Sequence, residues 1–434
     1  MTIEKKAYRA AIVHSLDDPA QVAVDASYEY FEDGLMIVED GRITAVGNAA
    51  DLLGNLPREV EVLTYTDALI TAGFIDTHIH LPQTGMVGSY GEQLLDWLNT
   101  YVFPCEKQFA DPAHSAEVAD IFLKELLRNG TTTALVFGSR HKESVDALFS
   151  AAQKLNLRMI AGKVMMDRNA PDYLVDTAES SYLDSKALIE RWHGKGRLHY
   201  AVTPRFAPTS TPEQLTLAGQ LLTEYPDLYM QTHISENLKE VEWVKALFPE
   251  RKNYLDVYDH FNLLGERSVF AHGVHLCDQE CQRLAETGSA VAFCPTSNLF
   301  LGSGLFNLPM AQRHKLNVGL GTDVGAGTSF SILQTLNEAY KVMQLQGAKL
   351  SPFKSLYLAT LGGARALRLD DRIGNLQAGS EADFVVLDFN ATPLLSYRMK
   401  QATSIEEKLF VLMTLGDDRT VSETYSAGVR VHKR

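Results

Sequence analysis

The sequence predicts an α/β fold: a (β/α)8 TIM-type barrel with a small β-sandwich domain built from both chain ends. Three observations carry this. Eight short apolar runs recur through the middle of the chain, amphipathic helical segments separate most of them, and both ends are strand-rich but too short to bury a core alone.

In chain order, residues 1 to 68 read as strands through "RAAIVHSL", "YEYFEDGLMIVEDGRITAVG" with its Asp-Gly turn signals, and "EVEVLTYT". The barrel follows over residues 69 to 378. Its runs are "LITAGFIDTHIH" at 69, "TTTALVFG" at 131, "LRMIAGKVMMD" at 157 and "LHYAVTPRF" at 198. They continue with "LYMQTHIS" at 228, "SVFAHGVH" at 268, "SAVAFCP" at 289 and "NVGLGTD" at 317. One intervening helix is clearly marked over residues 111–130. Asp111 can cap it, Pro112 suits its first turn, Val118, Phe122 and Leu126 form one stripe, and Asn129-Gly130 stops it. Buried strands alternating with helices imply a parallel sheet covered by helices, and eight such units close a barrel. Residues 379 to 434, with "EADFVVLDF" and "SETYSAGVRVHKR", return to strand and complete the small domain.

The chain has 434 residues, 45% hydrophobic and 22% charged, enough to bury a large core. A net charge of −14 opposes a sequence-independent grip on phosphate backbones, so nucleic acid is excluded as a partner and a small neutral molecule fits. No apolar run approaches the ~18 residues of a membrane span, and "MTIEKKAYRAAIVHSLDD" lacks the apolar stretch of a secretion signal. Four cysteines are too few for a disulfide framework. Cys277 and Cys281 have no companion pair for structural zinc and read as a helix turn. The expected compartment is reducing and cytoplasmic.

The anomalies in the apolar runs coincide. His78 and His80 end the first run, Arg205 the fourth and His233 the fifth; His272 lies near the end of the sixth and Asp323 ends the eighth. Barrel active sites lie at the carboxyl ends of strands. Residues two apart on a strand share a face, so His78 and His80 can meet one ion, with Asp76 of the same parity behind them. Glu236, three residues after His233, is placed to shuttle protons, or to satisfy the dipole of a helix capped by Ser235 with a stripe of Leu238, Val241, Val244 and Leu247. Asp323, in "GLGTDVGAG", offers a hard oxygen; the competing phosphate loop lacks the Gly-Lys-Ser/Thr that should follow. His272 is a fourth imidazole ligand, a residue holding the water, or a satisfied core histidine. His275 stays outside the site. The donor types suit Zn²⁺, and Fe²⁺ or Mn²⁺ share them. The fourth run contains no lysine to bridge a second metal, so one divalent ion per chain is expected.

"GFIDTHIH", "THISE", "FAHG" and "GTD", in that order, resemble the amidohydrolase superfamily over nearly the whole barrel. "HLPQTG", "GKVMMDRNAP", "TPRFAPTS" and "CPTSNLFLGSG" are similar to its guanine-deaminating branch. The resemblance implies His78, His80, His233 and Asp323 as metal ligands, Glu236 as proton shuttle and His272 as the group that orients the attacking hydroxide. It implies substrate contacts from Gln83, Arg205 and Phe206 beside His233 and Glu236, and a homodimer. The implied reaction is hydrolytic deamination of guanine to xanthine and ammonia, by a metal-bound hydroxide attacking C2. Side-chain chemistry agrees: an arginine fork suits O6 and N7, a glutamine the mixed donor–acceptor edge, and a phenylalanine the ring face. Related branches that take adenosine-like bases, cytosine, 8-oxoguanine or triazines keep the same metal logic, and pocket residues decide among them. A non-catalytic scaffold would lack a ligand or the shuttle; here every candidate is present. Residues 85–108, long for a connection, read either as a lid or as a packed rim helix.

Overall fold

The computed structural model describes residues 5–90 and 94–434. All eight apolar runs contribute a strand to a parallel sheet: Phe74–His80, Thr131–Phe137, Arg158–Gly162, Leu198–Pro204, Tyr229–Ile234, Ser268–His272, Ala290–Phe293 and Asn317–Leu320. Register follows directly along neighbours, with Thr232 opposite Phe270 and Val291 opposite Val318. The eighth strand returns beside the first. Thr77 Oγ1 donates to the Leu320 carbonyl at 3.0 Å, Asp323 N to the His78 carbonyl at 2.9 Å, and His80 N to the Val324 carbonyl at 3.0 Å. Lys163 interrupts the third strand, leaving Val164–Met165 paired to Leu198–Pro204. Its buried ammonium is held by Asp176 at 2.6 Å.

The small domain is one seven-stranded mixed sheet that draws on both chain ends. Lys5–Ser15 pairs antiparallel with Tyr28–Glu39 and parallel with Glu61–Ala72, which in turn pairs antiparallel with Phe384–Asp388. Asp40 and Gly41, at φ 51° and 77°, make the tight turn that the Asp-Gly signal announced. The apolar run beginning at Leu69 is in fact two strands. Ala68 to Ala72 pair with Asp388 to Phe384 in the small sheet, Gly73 breaks the run, and Phe74 begins the barrel. Tyr8, Ile12, Met36, Ile70, Phe384 and Tyr425 form the core of this sheet.

The chain divides into two compact units, residues 1–75, 124–133 and 331–434, and residues 76–123 and 134–330. The helix expected over 111–130 spans Pro112–Arg128, with Asp111 Oδ1 accepting from Ala113 N and Gly130 at φ 81° ending it. The helix after the fifth strand differs from expectation. Its cap is Asn237 rather than Ser235, it runs Leu238–Leu247, and Leu238 is exposed. Glu236 therefore precedes the helix instead of sitting in its first turn, which frees its side chain from the dipole role. Cys277 and Cys281 are free thiols at the start of Asp278–Glu286. Among the described residues no helix is long and apolar enough to cross a membrane.

Candidate metal centre and active site

Every candidate ligand lies at the carboxyl end of a barrel strand and is at least largely buried. His78 Nε2 and His80 Nε2 are 3.3 Å apart, and each approaches Asp323 Oδ1, at 3.1 and 3.3 Å. His233 Nε2 is 3.2 Å from His80 Nε2. Three ring nitrogens and one carboxylate oxygen thus converge at separations close to the about 3.4 Å edge of a tetrahedron of ligands around Zn²⁺. The rings cannot all satisfy one another: each neutral imidazole offers at most one Nε2 proton, too few for the four short contacts among His78, His80, His233 and Asp323, so lone pairs are left facing one another. A cation removes that conflict, so the donor set fits one.

The protonation states agree. Burial holds His78 down to about 3 and keeps His80 and His233 below the usual imidazole range, so the rings are neutral, the form that ligates. Burial opposes the charge on Asp323, yet His78 and its neighbours hold the carboxyl well below its ordinary value. Asp76, completely buried and pushed up to about 7 by burial, accepts from His78 N at 3.1 Å and Thr322 Oγ1 at 2.5 Å, bracing the first strand against the eighth.

The ligand rings are aimed from behind. The Arg205 carbonyl accepts from His233 N at 3.2 Å and lies 2.7 Å from His233 Nδ1, which fixes the proton on Nδ1 and leaves Nε2 for the ion. Asn298 Oδ1 likewise fixes a proton on Nδ1 of His272, which is not one of the ligand rings. His272 Nε2 then faces Glu236 at 3.5 Å and Asp323 at 3.8 Å. Burial works against protonating His272, but the charges of Glu236 and Asp323 outweigh it and raise the ring above its usual value. Ser235, His272 and Asp323 all adopt positive φ, at 48°, 73° and 51°. Such backbone costs of order 1 kcal/mol per residue and gathers at functional rims.

Glu236 is pushed up to about 7 by burial, so it can both take and give a proton near neutrality. Ser303 Oγ donates to its Oε1 at 3.2 Å, and Glu240 Oε2 receives the backbone N–H groups of Glu236 and Asn237 at 2.9 and 3.0 Å. Gln83, Arg205 and Phe206 line the same cavity as His80, His233, Glu236, His272 and Asp323. Gln83 Oε1 accepts from Gly325 N at 3.1 Å, which leaves its amide N–H₂ for a ligand. Leu94, Trp97 and Leu98, from the segment after the first strand, complete the wall. Of the stretch 85–108, residues 91–93 lie outside the described residues. Within it Trp97, Val102 and Phe103 pack against Phe137, Met166 and Phe206, a π turn spans Leu98–Val102, and Tyr90 is exposed.

Asn298, Ser303, Glu240 and Glu106 escaped the sequence reading. The first two lie within "CPTSNLFLGSG", which carried part of the resemblance; Glu240 and Glu106 carried no local signal.

Residues 69–431 match the Amidohydrolase family. The chain is 56% identical over 423 residues to guanine deaminase of Escherichia coli strain K12, covering 98% of this chain and 96% of that protein. The solved E. coli guanine deaminase superposes with a TM-score of 0.95 at 54% identity, covering 99% of each chain. The guanine deaminase of C. acetobutylicum, solved with guanine bound in its active site, superposes with a TM-score of 0.89 at 28% identity, covering 99% of this chain and 100% of that one.

Proposed function

The chain belongs to the amidohydrolase family, and from that premise we propose that it hydrolyses guanine to xanthine and ammonia. One observation carries the reading. A fork donor, an amide and an aromatic ring, Arg205, Gln83 and Phe206, share one cavity with a buried carboxyl near neutrality and with His80, His233 and Asp323 of the His₃Asp cluster. The guanine deaminases to which the chain is similar along its whole length support it.

His78, His80, His233 and Asp323 would hold one divalent cation, for which Zn²⁺ suits the donors best. Such an ion supplies Lewis acidity, which makes water nucleophilic near neutral pH. Arg205 grips O6 and N7 of the base, Gln83 meets the edge carrying N1–H, N3 and the amino group, and Phe206 packs on the ring. Held so, C2 faces the cluster. Glu236 takes a proton from the attacking water and passes it to N3 as the C2–O bond forms. Glu236 then takes the proton of the new C2 hydroxyl and delivers it to the amino nitrogen; the C2–N bond breaks as the C2 carbonyl forms, and ammonia leaves. His272 Nε2, opposite Glu236, holds the attacking oxygen in line and stabilises its charge. Trp97, Leu94 and Leu301 keep bulk water from the base.

The same proposal includes a homodimer working in the cytoplasm, where the free thiols remain reduced. An ultraviolet assay of a small panel of bases and nucleosides, run before and after chelation and return of Zn²⁺, tests the reading. Guanine turning into xanthine, lost on chelation and restored by metal, is expected. A metal-restored enzyme that leaves guanine unchanged overturns it.

A further inference from the structure

Glu106 lies behind the pocket wall with no solvent exposure, and both of its carboxylate oxygens accept from the same nitrogen, Arg205 Nη1, at 2.8 and 3.0 Å. Arg205 Nη2 and Nε are left for the cavity that the residue lines. The Glu106 backbone is pinned: Ser139 Oγ donates to its carbonyl at 3.3 Å, and the adjacent Cys105 Sγ donates to the Pro82 carbonyl at 3.1 Å. Phe103, three residues earlier, lies beneath the guanidinium at 5.6 Å.

We propose that Glu106 is a specificity-determining residue, which cancels the charge of Arg205 so that the pocket accepts neutral purine bases and rejects purine anions. The inference rests on the guanine reading and deepens it. Orientation alone does not call for a buried carboxylate. The Phe103 ring already supports the guanidinium, and a neutral amide at position 106 could accept from Nη1 without the desolvation cost of a charge. What the carboxylate adds is its negative charge. Glu106 offsets the charge of Arg205 at the back of the pocket, so the guanidinium meets the base as one half of a neutral pair. Without Glu106, one positive charge would face the base in a water-poor cavity, where Coulomb forces are strong.

Substrate and product differ in this respect. Replacing the amino group of guanine by a carbonyl leaves N–H groups at N1 and N3 flanking it, and xanthine gives up a proton more readily than guanine does. An uncancelled arginine would retain that anion. Glu106 thus lets the product go.

The test uses the metal-loaded enzyme and xanthine, with calorimetric affinities and inhibition constants from about pH 6 to about pH 9. Wild type is expected to lose about tenfold or more in xanthine affinity as the ligand ionises. Glu106→Gln should flatten or reverse that trend and bind the xanthine anion about tenfold more tightly than wild type does. Glu106→Asp keeps the charge but withdraws it by a methylene; it should retain the wild-type trend while kcat/KM falls. A Glu106→Gln trend identical to wild type overturns the proposal. So does a wild-type affinity that stays level or tightens with ionisation, and that result needs no variant to fold. Failure of wild type to convert guanine overturns the underlying reading instead, and is scored separately by the turnover assay.

Discussion

Asn298 Oδ1 lies 2.9 Å from His272 Nδ1, and this contact holds a proton on Nδ1 and turns Nε2 toward the site. Asn298→Ala leaves the ring free to rotate and to change tautomer. The expected outcome is a fall in kcat of about 10- to 100-fold with metal content unchanged, because partners behind a catalytic imidazole carry effects of that size. Steady-state kinetics with elemental analysis checks it; wild-type kcat would show that His272 is held by packing alone.

Glu236 and His78 should fail in different ways. Glu236→Gln retains the fold and the ion but loses about 10²- to 10⁴-fold in turnover, the range of general acid–base catalysis. His78→Ala loses the ion itself. Metal content and activity measured together separate the two, and a Glu236→Gln enzyme at wild-type rate removes the residue from the proton path.

Gly162 ends the third barrel strand, where an added Cβ would collide with the Ala201 carbonyl oxygen and Thr203 Oγ1 of the neighbouring strand. Relief requires the strands to part. Gly162→Ala is expected to cost about 3 kcal/mol, seen as a lower thermal midpoint and reduced soluble yield. A variant that melts with wild type would mean that the strands yield more easily than their register suggests.

His14 gives the small domain an acid sensitivity. It is fully buried, its Nε2 lies 3.2 Å from the half-exposed Glu29 without hydrogen-bond geometry, and burial lowers its pKa from 6.5 to about 4. In the unfolded chain the imidazole protonates below about 6.5, while the folded one resists until about 4. The folded state is therefore fully favoured above the upper value and loses roughly 3 kcal/mol as pH falls to the lower one. Urea midpoints across that window should slope less for His14→Leu than for wild type; equal slopes count against His14 as the source.

How much was legible follows from what kind of signal each residue leaves. His78, His80, His233 and Asp323 stand out because a polar side chain ending an apolar strand is an anomaly within a few residues of sequence. Strand parity then puts the first two on one face. The pairing of the two chain ends was legible for a related reason: neither end could bury a core alone, and Phe384 does sit opposite Ala72. Glu106, Asn298 and Ser303 left no such mark. Each acts on a partner brought near by the barrel, 99 positions away for Glu106 and Arg205, and a buried glutamate reads locally as one more helical acid. Ser235 misled for a local reason. Serine is a good cap, but here it takes the left-handed backbone that lets Glu236 turn inward, and Asn237 caps in its place.

The bond that aims His233 comes from the main chain of position 205, and any amino acid placed there would carry the same carbonyl. The side chain proposed to read the base is thus uncoupled from the seat of the ion. Variation at 205 can shift which heterocycle is welcomed without a new solution to metal capture at each step. A lineage built this way can wander among nitrogenous rings by small moves, and a laboratory selection for a new ring would do well to begin at that codon.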